Sequence, residues 1–114
     1  MENKIEHFRQ YREKMNAAIL EKDNMVIKRI FNLDTNVFRE GSPDQQSKEL
    51  IGLCTSLVLR CDDCVKYHLE QCFKLKISTT VLMEAMSIAN VVGGTIVIPY
   101  IRSAVEYWDM LQKY

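Results

Sequence analysis

Residues 48–73 read KELIGLCTSLVLRCDDCVKYHLEQCF. In the first half, Leu50, Leu53, Cys54, Leu57 and Val58 follow the i, i+3, i+4, i+7, i+8 rhythm of one helix face. Asp62 and Asp63 then sit where a second helix would begin near Cys61, and acids suit the positive end of a helix dipole. Beyond them Val65, Leu69, Cys72 and Phe73 continue an apolar side. Two helices meeting at a cysteine pair is the reading from which the rest of the chain is built.

Helical periodicity extends in both directions. Ile5, Phe8, Met15 and Ile19 predict a first amphipathic helix, and Met25, Ile27, Ile30 and Phe31 a second, short one. A long loop is expected over residues 32–41. Ser42-Pro43 then reads as an N-cap with proline in the first turn of the third helix. Ser78 is the expected N-cap of the fifth helix, whose Val81, Leu82, Ala85, Met86, Ile88, Ala89 and Val92 make it apolar almost all round. A helix of that kind belongs in a core or an interface. Gly93-Gly94 should end it. Val97, Ile101, Ala104, Val105, Trp108 and Leu111 share one face of a last helix, with Pro99 in its first turns. Ile96-Val97-Ile98 is β-prone, but the stripe continues past it and favours helix. The expected fold is all-α, about six helices in a single domain over residues 1–114.

Lys plus Arg and Asp plus Glu number 15 each, giving a formal net charge of zero. That argues against a nucleic-acid binder, which carries a basic surplus. The amino terminus, Met1 to His7, is polar and shows no secretory signal. The apolar run from Thr95 to Ile101 is too short to span a bilayer and is broken by Pro99. A cytoplasmic location is expected. There, four cysteines are not structural staples, and a close pair points to redox or metal chemistry.

On a helical wheel of about 100° per residue, with Cys61 at zero, Cys64 falls near −60°, His68 near −20° and Cys72 near +20°. The four share one side, which runs into Leu69 and Phe73, so the site is expected to face inward. Residues four apart are stacked neighbours, and side chains lean toward the helix amino terminus. His68 is therefore the natural partner of Cys64. Cys61, at the helix start, gains most from the free N–H groups that favour thiolate, while Asp62 and Asp63 oppose ionisation of both thiols. Glu49, twelve residues before Cys61, borders the apolar stripe of the preceding helix. In a helical hairpin it could meet the thiol face and accept a proton there.

Zinc is the main rival reading. One helix cannot gather Cys61, Cys64, His68 and Cys72 around an ion, because the first and last lie about 16 Å apart along the axis. No second CxxC or paired histidine completes a tetrahedral site, so neither metal nor other cofactor is expected. Cys54 and Cys72 read as core residues, since free cysteine packs as a small hydrophobe, although Cys72 lies on the site face. His7 reads as surface.

Taken jointly, Glu49, Cys61-x-x-Cys64 and His68 resemble the signature of the AhpD-like alkyl hydroperoxidase group of the carboxymuconolactone decarboxylase family. Lys48 to Ile51 and Ala89 to Gly94 also resemble the family pattern, and the likeness covers roughly residues 31–111. AhpD itself is longer and carries a histidine beside its second cysteine, where this chain has Asp63. The resemblance implies an all-helical homotrimer or homohexamer that reduces peroxides with electrons from a dithiol such as a lipoyl group. It assigns Cys64 as the peroxide-attacking thiol, Cys61 as the partner that closes the disulfide, His68 as the proton acceptor and Glu49 as its relay. Two alternatives stay open. One is a lyase acting on a lactone acid through Glu49 and His68. The other is a non-enzymatic oligomer whose disulfide senses redox state.

Overall fold

The computed structural model describes residues 3–114; Met1 and Glu2, part of the polar start noted above, lie outside them. Among the described residues the regular structure is helical throughout: α1 Lys4–Glu21, α2 Met25–Val37, α3 Gln45–Leu59, α4 Asp62–Lys74, α5 Thr79–Gly93 and α6 Ile98–Gln112, the last preceded by a 3-10 turn at Thr95–Val97. The chain falls into two compact units, one ending at Arg39 and the other Glu40–Tyr114.

The first unit holds α1 and α2. Asn3 caps α1 by accepting from the N–H groups of Ile5 and Glu6, and Asn24 caps α2 by accepting from that of Ile27. Of the predicted α1 stripe, Ile5 is buried and Phe8 half-buried, whereas Met15 and Ile19 are each 36% exposed. The expected loop over residues 32–41 is mostly helix, since α2 continues to Val37. Its polar residues find partners without leaving the helix. The Thr35 hydroxyl donates to the Phe31 carbonyl, and the Asn36 amide donates to the Asn32 side chain one turn back.

The second unit carries the cysteines. Here α3 packs on α4 and α5, and α4 packs on α6. The start of α3 also differs from expectation. Asp44 is the N-cap, not Ser42, because its carboxylate accepts from the Ser47 N–H at 2.7 Å. Bonds from Ser47 hold that carboxyl below its usual range. Pro43 therefore lies outside the helix. The other expected punctuation is present: Ser78 caps α5, Gly94 at φ +87° closes it, and Pro99 stands in the first turn of α6.

One corner decides where the cysteines go. Arg60 adopts the left-handed conformation at φ 61°, its N–H donates to the Leu57 carbonyl, and the Cys61 N–H reaches back to Ser56. These two bonds form a Schellman ending. The residue that follows Arg60 is already the N-cap of α4. Helices α3 and α4 thus form a hairpin with almost no loop, and Cys61 stands at its tip. Lys76, at φ 59°, repeats the motif at the end of α4.

Leu53, Leu57, Val65, Leu69, Leu82 and Trp108 are among the fully buried side chains. The Trp108 indole N–H donates to Thr79 at 2.9 Å and its ring meets Phe73 edge-on, which ties the end of α6 to α4 and the start of α5. On α5 only Leu82, Met86 and Ala89 are buried. Val81, Met83, Ile88, Val91 and Val92 are exposed, so much of its apolar surface lies outside the core.

Candidate functional site

Cys61 and Cys64 are joined as a disulfide, with Cα atoms 5.3 Å apart. Cys61 precedes the helix, and its sulfur also accepts from the Cys64 N–H at 3.3 Å, the position an N-cap side chain takes. Cys64 lies in the first turn of α4 and is exposed, while Cys61 is half-buried. The expectation that all four residues face inward therefore holds only for the deeper half. The wheel assumed a helix running through Cys61. Because the helix starts after it, the pair stands at the rim, where the first turn has no preceding turn to cover it.

One turn below Cys64, His68 is buried. Its ring Nδ1 lies 2.8 Å from Oε1 of Glu49, which is also buried. A carboxylate can only accept, so the bond fixes the proton on Nδ1 and gives Nε2 the basic lone pair. The hairpin makes this contact: Glu49 on α3 and His68 on α4 are nineteen residues apart in sequence. His68 also meets the Tyr67 ring edge-on at 5.2 Å.

Gly52 was not singled out in the sequence, and the structure gives it a role. A Cβ there would stand 2.7 Å from His68 Cε1, 2.8 Å from Nε2 and 3.0 Å from Nδ1. The imidazole lies against the bare backbone of α3. The available signal was a glycine one turn after Glu49 inside a helical stripe, where glycine is otherwise unfavourable.

Cys72, two turns beyond Cys64, is fully buried and reduced. Burial first, then the charge of Glu49 and the neighbouring Cys54, push its thiol up to about 12. Cys54 is half-buried, donates from its sulfur to the Ala85 carbonyl at 3.2 Å, and is also raised by burial. Neither is placed or tuned as a nucleophile. Among the described residues no group of three or more His, Cys, Asp and Glu side chains is arranged to hold a metal ion. No described helix is long and apolar enough to cross a membrane.

Helices α1–α6 with a CxxC disulfide at the start of α4, above a buried Glu–His pair, define a class of small helical proteins by fold and site alike. The model of the carboxymuconolactone decarboxylase family matches residues 26–107, and the chain belongs to that family. A crystal structure of TM1620 from Thermotoga maritima superposes with a TM-score of 0.92 at 45% identity, covering 94% of each chain. A second structure of that protein, with a TM-score of 0.90 at 44% identity over 94% of this chain and 91% of that one, is described as a family member with a suggested part in the antioxidative response. The family protein lpg0406 from Legionella pneumophila, in its apo form, shares the fold at a TM-score of 0.87 and 21% identity, over 96% of this chain and 98% of that one. An uncharacterized protein of Cupriavidus necator, H16_B0147, is 32% identical over 73 residues, which are 64% of this chain and 65% of that one, just under two thirds of its length.

Proposed function

We propose that this protein is a thiol-dependent peroxidase of the AhpD-like kind, with Cys64 as the attacking thiol. The observation that carries the reading is the buried Glu49–His68 pair one helical turn beneath a formed Cys61–Cys64 disulfide. In the reduced protein His68 Nε2 accepts the proton of Cys64, and Glu49 stabilises the resulting imidazolium through Nδ1–H. The Cys64 thiolate attacks the terminal oxygen of a hydroperoxide. The S–O bond forms, the O–O bond breaks, and the departing alkoxide takes a proton to become an alcohol. Cys61 then attacks the sulfenic sulfur, forming the disulfide and releasing water. An external dithiol, for example a lipoyl-type group, reduces the pair by two exchanges and is itself oxidised. The disulfide state in the structure is the one such a donor must reset. The exposed rim position of Cys64 suits access by peroxide and by a bulky dithiol alike.

The suggested antioxidative part of the T. maritima relative supports this reading. The exposed apolar face of α5 supports a second element of it, assembly of the chain into a homotrimer or homohexamer. The test is peroxide consumption with a panel of small and lipoyl-type dithiols. Turnover should fall to background in Cys64→Ser and by about a hundredfold in Glu49→Gln, the usual scale for positioned proton transfer. Full turnover by Cys64→Ser would overturn the mechanism. A reaction on a lactone acid that needs no reductant and survives loss of both cysteines would instead assign the Glu49–His68 pair to a lyase.

A further inference from the structure

Helix α4 carries a second row of residues spaced four apart, Asp62, Lys66 and Glu70, and it faces Ser103 and Tyr107, also four apart, on α6. The contacts run in register. The Ser103 hydroxyl donates to Asp62 Oδ1 at 3.0 Å, and Lys66 Nζ lies 3.2 Å from Asp62 Oδ2. Lys66 Nζ also sits 5.9 Å from the centre of the Tyr107 ring, and the Tyr107 hydroxyl donates to the buried Glu70 at 2.7 Å. The upper end of this polar ladder is a residue of the CxxC turn itself.

Asp62 lies between the two sulfurs in sequence, and its charge would oppose a thiolate on either side. In the structure both of its oxygens are engaged, one by a hydroxyl from the neighbouring helix and one by an ammonium one turn down. Asp63, the other intervening acid, is exposed. We infer that Asp62 is a positioning residue for the redox pair, its carboxylate held between the Ser103 hydroxyl of α6 and the Lys66 ammonium so that less of its charge bears on the sulfurs. This rests on the reading of Cys61 and Cys64 as a pair that cycles between dithiol and disulfide. Ser103, a neutral residue forty-one positions away from Asp62, thereby sets how readily that disulfide is reduced.

The test is the equilibrium of the Cys61–Cys64 couple against a dithiothreitol redox buffer at fixed pH, read by mass spectrometry with no peroxide present. Removing the α6 anchor of the carboxylate with Ser103→Ala should make the disulfide harder to reduce by about threefold in the exchange constant, which is about 14 mV for a two-electron couple. Asp62→Asn should make it easier to reduce by a similar factor, and Ser103→Thr should behave as the wild type. In the Asp62→Asn background, Ser103→Ala should have no effect. An unchanged constant in folded Ser103→Ala, or an equal shift with and without Asp62, overturns the inference. If Ser103→Ala does not fold, Asp62→Asn decides alone, and no rise in its constant overturns it. Peroxide turnover is scored separately. A chain that shows these shifts without consuming peroxide sinks the peroxidase reading and leaves this one standing.

Discussion

Gly52 carries no side chain because the imidazole of His68 occupies the space where one would stand. Alanine is the better helix former by about 0.5–1 kcal/mol, so Gly52→Ala would be stabilising on an open helix. Here the added methyl must push the ring or separate the two helices, and overpacking of a close-fitted site costs about 1–3 kcal/mol. The clash wins. Gly52→Ala should lower the melting temperature and reduce kcat/KM for peroxide by about tenfold or more, as expected when a proton acceptor is displaced. Thermal unfolding and steady-state kinetics check both, and a more stable variant with unaltered turnover would remove the close approach from the account. At this scale the sequence was partly legible. The four-residue register of Cys64 and His68 is local and follows from helix geometry alone. The contact between Gly52 and His68 joins two helices and leaves in the sequence only an unexplained glycine.

The α3–α4 hairpin gives Cys61 two tasks, as half of the disulfide and as the N-cap of α4. Substitution separates them. Cys61→Ser and Cys61→Ala both abolish the disulfide, but serine still offers an oxygen to the Cys64 N–H. N-cap serine exceeds alanine by about 1 kcal/mol. Cys61→Ser should therefore be the more stable of the two by about that amount in denaturant titrations, with neither variant forming the internal disulfide. Equal stabilities would show that Cys61 does not cap the helix. The identity and order of the helices followed from periodicity, and the start of α5 at Ser78 and its stop at Gly94 from local chemistry. The structure differs from the sequence reading at residues 32–37, which are helix, and at the cap of α3, while residues 38–41 lie outside the helices as expected. The Asn, Asp, Thr and Pro of this stretch resemble a loop in composition, yet Thr35 and Asn36 bond within α2, and Asp44 competes successfully with Ser42 for the cap. Several polar residues could each start or end a helix, and only the realised bonds choose among them.

Among the described residues, apolar side chains that the core does not use stand on α2, at Met25, Val26, Ile30, Leu33 and Val37, and on α5. Val91 is 85% exposed, Val92 75% and Ile88 63%. Surface of this kind on an ordered helix marks an interaction site, in keeping with the proposed self-association. Light scattering should give a multiple of the 13.3 kDa chain mass, and Val91→Glu with Val92→Glu should lower it. A wild-type monomer at micromolar concentration would dismiss the assembly.

By itself the sequence determined an all-helical chain with Cys64 and His68 one turn apart, because helix periodicity, caps and i, i+4 placement are properties of neighbouring residues; the likeness to the carboxymuconolactone decarboxylase family was carried by the joint pattern of Glu49, Cys61, Cys64 and His68. It also offered Glu49 as the acid of the site. The tertiary structure decided the rest. It seated Glu49 on Nδ1 of His68, put Cys64 at an exposed rim, laid the ring on Gly52, and tied Asp62 to Ser103. Those pairings depend on how one helix is rotated against another. Rotation is set by side-chain packing across the interface, which no local spacing encodes.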